Sequence, residues 1–402
     1  MPKSRGRRPK KNRHRSTGRG RTGPVDEQFD REMLPVMQAS DAAEARGDAV
    51  AAYELISDHL FDARGRRFWR PWRLRRLGQL AEFGPLLPRW ATSRWILAQA
   101  RQSLLPAART AHQRSRQLAI DVRGGLEQLP GVDDIDAACR VADHDWVCRQ
   151  LFLYELGGLS IFLRHGATPD LVAGADRIHD WARAPLRALR YDGPGLGLLR
   201  WVDLATGERL ELLDLGAGVW VGPGECVLGR VVPIDEGLMF EGLPLFVPDD
   251  VAARVAGDPT GWLDVLRAEV PRERSEDQRI RVGSVTGDPL LSDVPDVVWE
   301  LAALCAAEPD LPAAEALLDG AARLVLAGLA ELEEQARLLD LDDLLPCVAA
   351  MVVQPFVVKV VRERLGPQHA PWLRDLADLV IGPAAEICLG LSAVAEDADD
   401  AA

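Results

Sequence analysis

Cys139, His144 and Cys148 are the tightest grouping of metal-ligating side chains in the 402-residue chain. Zinc held on a helix needs its donors on one face. Cys139 and Cys148 are nine residues apart, about 180° after whole turns, so they point to opposite faces and no metal site is expected. The same stretch carries Asp143-His144-Asp145, and Asp176, His179 and Asp180 fall within little more than one helical turn. Asp176 and Asp180 share a face at i, i+4 with His179 beside Asp176, a trio that could orient a general base. The plainer alternative is the solvated polar face of an amphipathic helix. No nucleophile motif accompanies the trio: GxSxG, GxxxxGK[ST], HExxH and a strand-linked GxGxxG are all missing from the sequence. Gly193 to Gly197 is glycine-rich, yet it precedes a strand pattern and has no helix after it to offer an N-terminus to phosphate. No catalytic residue, cofactor or metal is assigned. A hydrolase or transferase site gathered from distant residues is compatible with these absences, because such sites assemble in space.

The basic features are more specific. Residues 1–24 contain ten Lys or Arg and no acid. Such a segment buries too little apolar surface to offset its chain entropy and is expected to be a disordered basic arm. Within it Arg5-Gly6-Arg7-Arg8-Pro9-Lys10-Lys11 resembles an AT-hook, with one additional arginine, Arg8, ahead of Pro9. The resemblance implies Arg5, Arg7 and Arg8 in the minor groove of A·T-rich DNA with Lys10 and Lys11 on phosphates. Counterion release by ten cations needs no motif, and a solubilising tail with no target is the competing reading. The second feature is internal, Arg64-Gly65-Arg66-Arg67-Phe68-Trp69-Arg70-Pro71-Trp72-Arg73-Leu74-Arg75-Arg76. Pro71 is placed to open a helix with Leu74, Leu77 and Ala81 inward, leaving Arg73, Arg75 and Arg76 near its first turn. Positive charge there opposes the helix dipole, and a bound phosphate would relieve it. Arg66, Arg67 and Arg70 add charge, and Trp69 and Trp72 could stack on unpaired bases at about 1–3 kcal/mol each. Across Arg64 to Arg116 there are 13 arginines and one acid, Glu82. The alternative is that the aromatics are core and the arginines pair with the acidic remainder of the chain.

That remainder is strongly acidic. The net charge of −13 conceals 26 Lys and Arg against 12 Asp and Glu from Met1 to Arg123, and 22 against 49 from Gly124 onward. With 47% hydrophobic and 27% charged residues the chain has an ordinary globular composition and length for two to four domains. Six cysteines without a CxxC pair read as buried thiols in a reducing compartment. No apolar segment of signal-peptide type follows the basic N-terminus, and the apolar runs Leu345–Val361 and Leu376–Val394 are interrupted before about 18 residues, so a cytoplasmic protein without a membrane span is expected.

The expected fold is mixed and predominantly α, in four parts. After the arm, residues 25–190 carry helical spacing and the Arg/Trp segment. Ala42–Gly47 and Asp48–Leu60 read as two helices about a Gly47-Asp48 turn. They resemble one tetratricopeptide-type hairpin, without a second copy at the roughly 34-residue period. Residues 191–250 carry strand signals: Leu198–Leu204, Arg209–Leu215, Val219–Val221, Cys226–Ile234 and Leu238–Val247, forming a small five-stranded antiparallel barrel or curled sheet. From Arg190 to Asp250 four Arg face eleven Asp or Glu, which argues against phosphate binding by the sheet itself. The runs Val202–Glu208, Val227–Pro233 and Phe240–Pro248 resemble a β-module of uncharacterised actinobacterial proteins, some carrying a SEC-C zinc motif. That motif is absent here, so the resemblance implies no ligand residue. Residues 251–402 form a C-terminal helical part. Short helices over Asp249–Val255 and Gly261–Val270 lead into a polar linker at Pro271–Gly287. A helix opened by Pro312 follows, with Leu317, Ala321, Leu324, Ala327 and Ala330 in register. Apolar segments Leu341–Arg364 and Pro371–Val394 and a frayed acidic tail from Glu396 complete it. The function these features support is non-enzymatic association with DNA or RNA, the alternative being a protein-binding adaptor with an incidental basic tail.

Overall fold

One strand organises the molecule. In the computed structural model, which describes residues 33–59, 71–84, 87–103, 105–126, 138–139, 141–142, 145–194, 198–213, 221–235, 237–269, 312–338, 345–352, 355–380 and 383–400, strand β4 is buried along almost its whole length. The sheet comprises β1 (Leu186–Pro194), β2 (Leu198–Asp203), β3 (Arg209–Leu213), β4 (Cys226–Ile234), β5 (Gly237–Phe240) and β6 (Leu245–Val247). All pairings are antiparallel, in the order β3-β2-β1-β4-β5, with β6 joined to β4. The sheet curls until β3 lies against β5, a half-barrel.

Period-two alternation explains why β4 is buried on both faces. Val227 and Val231 point into the half-barrel with Leu189, Tyr191, Leu199, Trp201, Leu210, Leu212 and Phe240. Trp201 centres this interior, 5.1 Å edge-on to Phe240 and 5.1 Å from Tyr191. Gly229 allows the close approach, since a Cβ there would lie 2.9 Å from the Phe240 ring. The alternate residues face helices. Cys226 and Leu228 pack with α5 (Arg109–Val122), α6 (Trp146–Gln150), α10 (Asp249–Gly257) and α11 (Trp262–Glu269). Val232 and Ile234 join the largest cluster. Its helices are α1 (Leu34–Ala45), α2 (Ala49–His59), α3 (Pro71–Phe83), α4 (Arg89–Gln102), α7 (Gly158–His165), α8 (Pro169–Gly174) and α9 (Ile178–Trp181). Apolar contacts therefore run across positions 190 and 250, with Trp181 beside Val232 in one cluster and Leu186 beside Val251 in another.

Most expected elements form, with informative differences. The α1–α2 hairpin turns at Gly47, whose φ of +78° suits glycine, and the Asp48 side chain accepts from the Ala51 amide at 3.0 Å. The β2–β3 hairpin closes over Ala205–Glu208 as the turn residues predict, with the Asp203 carboxylate accepting the Ala205 amide at 2.9 Å. β1, however, begins at Leu186, inside the stretch expected to be helical. Leu186, Ala188 and Leu189 suit either period, and the ladders to β2 and β4 decide for strand. Leu238–Val247 splits into β5 and β6, and Val221 lies outside any strand.

The described C-terminal helices are α12 (Pro312–Leu326), α13 (Leu329–Leu338), α14 (Leu345–Val352), α15 (Pro355–Arg364), α16 (Ala370–Leu379) and α17 (Pro383–Asp400), packed about their own core. Pro312 opens α12 as expected. Its buried stripe is Leu318, Ala322 and Val325, and a left-handed Gly328 ends the helical run before α13, so Ala327 and Ala330 do not share a helix. Prolines 355 and 383 open new helices inside the two long apolar segments, and α17 continues to Asp400, so the acidic tail is helical. Pro271–Gly287 lies outside the described residues. Among the described residues no helix is long and apolar enough to cross a membrane. Cys148, Cys226 and Cys388 are buried free thiols, whereas Cys139 is exposed, contrary to the expectation of uniform burial.

Because Trp201 fills the half-barrel, Trp201→Ala should cost about 3–5 kcal/mol. Urea denaturation followed by far-UV circular dichroism measures the loss.

Candidate functional site

Pro71 opens α3 as the sequence predicts, but the helix is turned so that Arg73 and Arg76 face inward, 4% and 5% exposed. Arg73 Nε donates to Glu44 Oε1 at 2.7 Å, and its Nη2 donates to the Asp41 carboxylate at 2.6 Å and also pairs with Glu44. Trp95 Nε1 donates to the other Glu44 oxygen at 2.8 Å. Burial pushes the Glu44 carboxyl up, and Arg73 and the Trp95 hydrogen bond only partly draw it back. Arg73 and Arg76 are thus withdrawn from any phosphate outside. The acids that hold Arg73 lie in the basic half of the chain, not in the acidic remainder. Trp72 and Arg75 lie on α3 with their side chains outside the described residues, as are the arm residues Arg5, Arg7, Arg8, Lys10 and Lys11 and the internal Arg66, Arg67, Trp69 and Arg70.

Other arginines do meet the acidic remainder. Arg89 reaches Asp235 at 3.3 Å and the carbonyls of Ala173 and Ala175. Arg123 grips Asp145 with two bonds of 2.7 and 2.9 Å, while Asp145 also caps α6 through the Cys148 amide. A continuous buried network lies where α6 and the π-helical turn Leu151–Glu155 meet β4. Arg149 donates to Glu241 Oε2 at 2.6 Å, Gln150 Nε2 to Glu241 Oε1 at 2.6 Å, and Arg230 Nε to Gln150 Oε1 at 2.8 Å. Arg230 also reaches Glu155 at 2.6 Å and covers the Tyr154 ring at 4.2 Å. Burial by itself would raise the Glu241 carboxyl; Arg149, the Gln150 amide and Arg230 together hold it below its ordinary value.

The two arrangements singled out for acid–base or metal chemistry do not assemble. Asp176 precedes α9, where its buried carboxylate accepts the Asp235 amide at 2.8 Å; Asp180 pairs with Arg177 and Arg183, and His179 is exposed. Cys139 is exposed, Cys148 is buried, and His144 lies outside the described residues. Among the described residues no group of three or more His, Cys, Asp or Glu is placed to hold a metal.

What the fold gathers instead is a basic face on α5. Ser115, Ala119 and Val122 turn inward at i, i+4, i+7, so Arg109, Gln113 and Arg116 share an outward face, while Arg114, about 160° round the helix from Arg116, emerges on the other side of the buried stripe; all four are exposed. Arg109, Arg114 and Arg116 have no carboxylate partner among the described residues. Beside this face is a cavity of about 260 Å³ lined by Arg101, Arg116, Arg149, His112, Cys148 and Phe152, among others. His112 stacks on Phe152 at 3.8 Å with 16° between planes, its Nε2 3.2 Å from the Ser103 carbonyl oxygen. Burial lowers its pKa, so the ring is neutral near pH 7. Burial and the Asp145 charge push the Cys148 thiol up to about 12, leaving it protonated and a poor nucleophile. Of the arginines lining the cavity, Arg149 is already paired with Glu241, and Arg116 is the one without a carboxylate partner among the described residues.

Sequence reasoning counted these arginines but weighted the aromatic-rich run before them. The usable signal was the helical period of 109–122, which separates the arginines from the inward Ser115, Ala119 and Val122. Compared with known proteins, the chain matches no family model, no curated protein and no solved structure.

The buried network yields a stability test. An ionised Glu241 with a depressed folded pKa contributes fully above its ordinary value of 4.5, and that contribution is lost as pH falls through the lower folded value. Glu241→Gln should cost about 3 kcal/mol at neutral pH by removing the buried carboxylate that Arg149 bonds and that Arg230 helps to hold ionised, and its deficit should shrink on acidification. Urea denaturation at a series of pH values compares the two curves.

Proposed function

We propose that the chain is a non-enzymatic nucleic-acid-associated protein whose contacts are phosphate contacts along α5, reinforced by the basic arm. The observation that carries this reading is the exposed Arg109, Arg114 and Arg116 on one helix, without acidic partners among the described residues, beside the arginine-lined cavity. Unpaired arginines exposed on one helix release counterions on meeting a polyanion, whereas paired ones such as Arg73 have already used their charge internally. With no base-reading motif on α5, the expected binding is tolerant of sequence. A second reading, a protein-binding adaptor, draws on the exposed Leu379, Leu389 and Val394 of the C-terminal helices.

Gel-shift titration of the full chain with single- and double-stranded DNA and RNA over a range of salt separates the two. Binding should fall steeply with salt. Replacing Arg109, Arg114 and Arg116 together by alanine should reduce the slope of log K against log salt by about 2 on single strands, at roughly 0.7 per contact. Deletion of residues 1–24 should weaken binding without abolishing its dependence on the α5 arginines. No binding at about 50 mM salt, where several phosphate contacts are still strong, would overturn the reading in favour of the adaptor.

A further inference from the structure

The connection between α8 and α9 is fastened to α4 through its backbone. The Asp176 amide donates to Ser93 Oγ at 2.8 Å, and the Ser93 hydroxyl donates to the Asp176 carbonyl oxygen at 2.8 Å. Arg89, one turn earlier on α4, donates to the Ala173 and Ala175 carbonyls at 3.0 and 2.7 Å. Arg177 follows with a φ of +48°, a left-handed conformation that no other non-glycine residue adopts among those described. Strain of that kind persists only where the surroundings impose it. Here they bring the Asp176 side chain to the residue directly after β4, where its Oδ2 accepts the Asp235 amide at 2.8 Å.

That placement sets one carboxyl beside another. Asp176 is 2% exposed, and its shielded Oδ1 has no donor. The Asp235 carboxyl is exposed and lies within hydrogen-bonding reach of the Asp176 carboxyl, a contact that needs a proton on one of the two acids. Burial raises the Asp176 carboxyl above its ordinary value. The Asp235 amide draws it part of the way back, and the Asp235 charge raises it again. Of the other charged groups at this junction, Arg89 lies 3.3 Å from Asp235 Oδ2 and offsets the pair in part, while Arg177 and Asp180 at the start of α9 are paired with each other. His179 is exposed.

We propose that Asp176 and Asp235 form an acid-locked latch between the α8–α9 connection and the end of β4. A proton shared by the two carboxyls ties the segments together; its loss to water at higher pH sets two negative charges against each other and loosens the end of the β4–β5 ladder. Trp181 Nε1, donating to the Pro233 carbonyl at 2.9 Å, keeps α9 on β4 while the latch opens, so the change is local. A carboxyl with a raised folded pKa binds its proton more tightly in the folded chain than in the unfolded one. The latch therefore contributes fully below the ordinary value of 3.8, and its contribution is lost as pH rises through the folded value. The latch uses no residue of α5 and does not depend on nucleic-acid binding.

Hydrogen–deuterium exchange of the full chain tests it, read over residues 231–240 by mass spectrometry between about pH 4 and about pH 8 and corrected for the intrinsic pH dependence of amide exchange. Exchange there should quicken with pH in the parent chain. Asp176→Asn keeps an oxygen for the Asp235 amide and supplies a permanent donor in place of the shared proton. Its exchange should stay flat with pH and be about tenfold slower than that of the parent at the upper end of the range. Asp235→Asn supplies the donor from the other side and should act alike; should Asp176→Asn unfold the chain as a whole, Asp235→Asn decides by the same readout. Asp264→Asn, which removes an exposed acid from α11, should leave residues 231–240 unchanged. Three results would overturn the latch: exchange independent of pH in the parent, asparagine variants that exchange as fast as the parent or faster over these residues at the upper end of the range, or equal slowing by Asp264→Asn, the mark of a general charge effect.

Discussion

Arg230 sits in the middle of the helix-facing side of β4, and the rest of the fold is arranged around satisfying it. On that side Cys226 and Leu228 enter one apolar cluster and Val232 and Ile234 another, so the guanidinium lies at the junction of the two. A buried cation is strongly destabilising unless its donors are taken up. Gln150, Glu155 and the Ala184 carbonyl accept from it, and Gln150 is itself fixed by Glu241 and, through Glu241, by Arg149. These partners come from α6, the π-helical turn, the segment before β1 and the residue after β5. The network therefore holds only when helices and sheet are mutually in register. Gly242 belongs to the same constraint, since a Cβ there would collide with the Arg149 guanidinium.

The same logic divides the arginines of the basic half into two populations. Arg73, Arg89, Arg94 and Arg123 are bonded to acids or carbonyls and act as internal fastenings. Those on the outer face of α5 have no such partner among the described residues and keep their charge for solvent or a ligand. A charge map drawn along the chain cannot separate these populations, because Arg73 and Arg116 look alike until the residue opposite each is known.

Local chemistry made a good part of the fold legible. The Gly47-Asp48 turn, the Ala205–Glu208 hairpin and the Pro312 helix start follow from residues within a few positions of each other. The errors arose where two periods fit the same residues. Leu186-Arg187-Ala188-Leu189 satisfies a helix or a strand, and only pairing to β2 and β4, remote in sequence, selects the strand. Of the candidate site, the concentration of arginine between residues 64 and 116 was visible, but the direction of each side chain was not.

By itself the sequence determined the predominantly helical class with one curled antiparallel sheet, the turns that join neighbouring elements, and a cationic front on an anionic body. These depend on backbone preferences and composition, which act locally or in sum. Tertiary structure alone decided that Arg73 and Arg76 turn inward, that Arg230 is buried among Gln150, Glu155 and the Ala184 carbonyl, and that His179 stands apart from Asp176. Each of those outcomes depends on which distant residue lies opposite a side chain, and burial or pairing with that residue outweighs the modest local preference of the side chain itself.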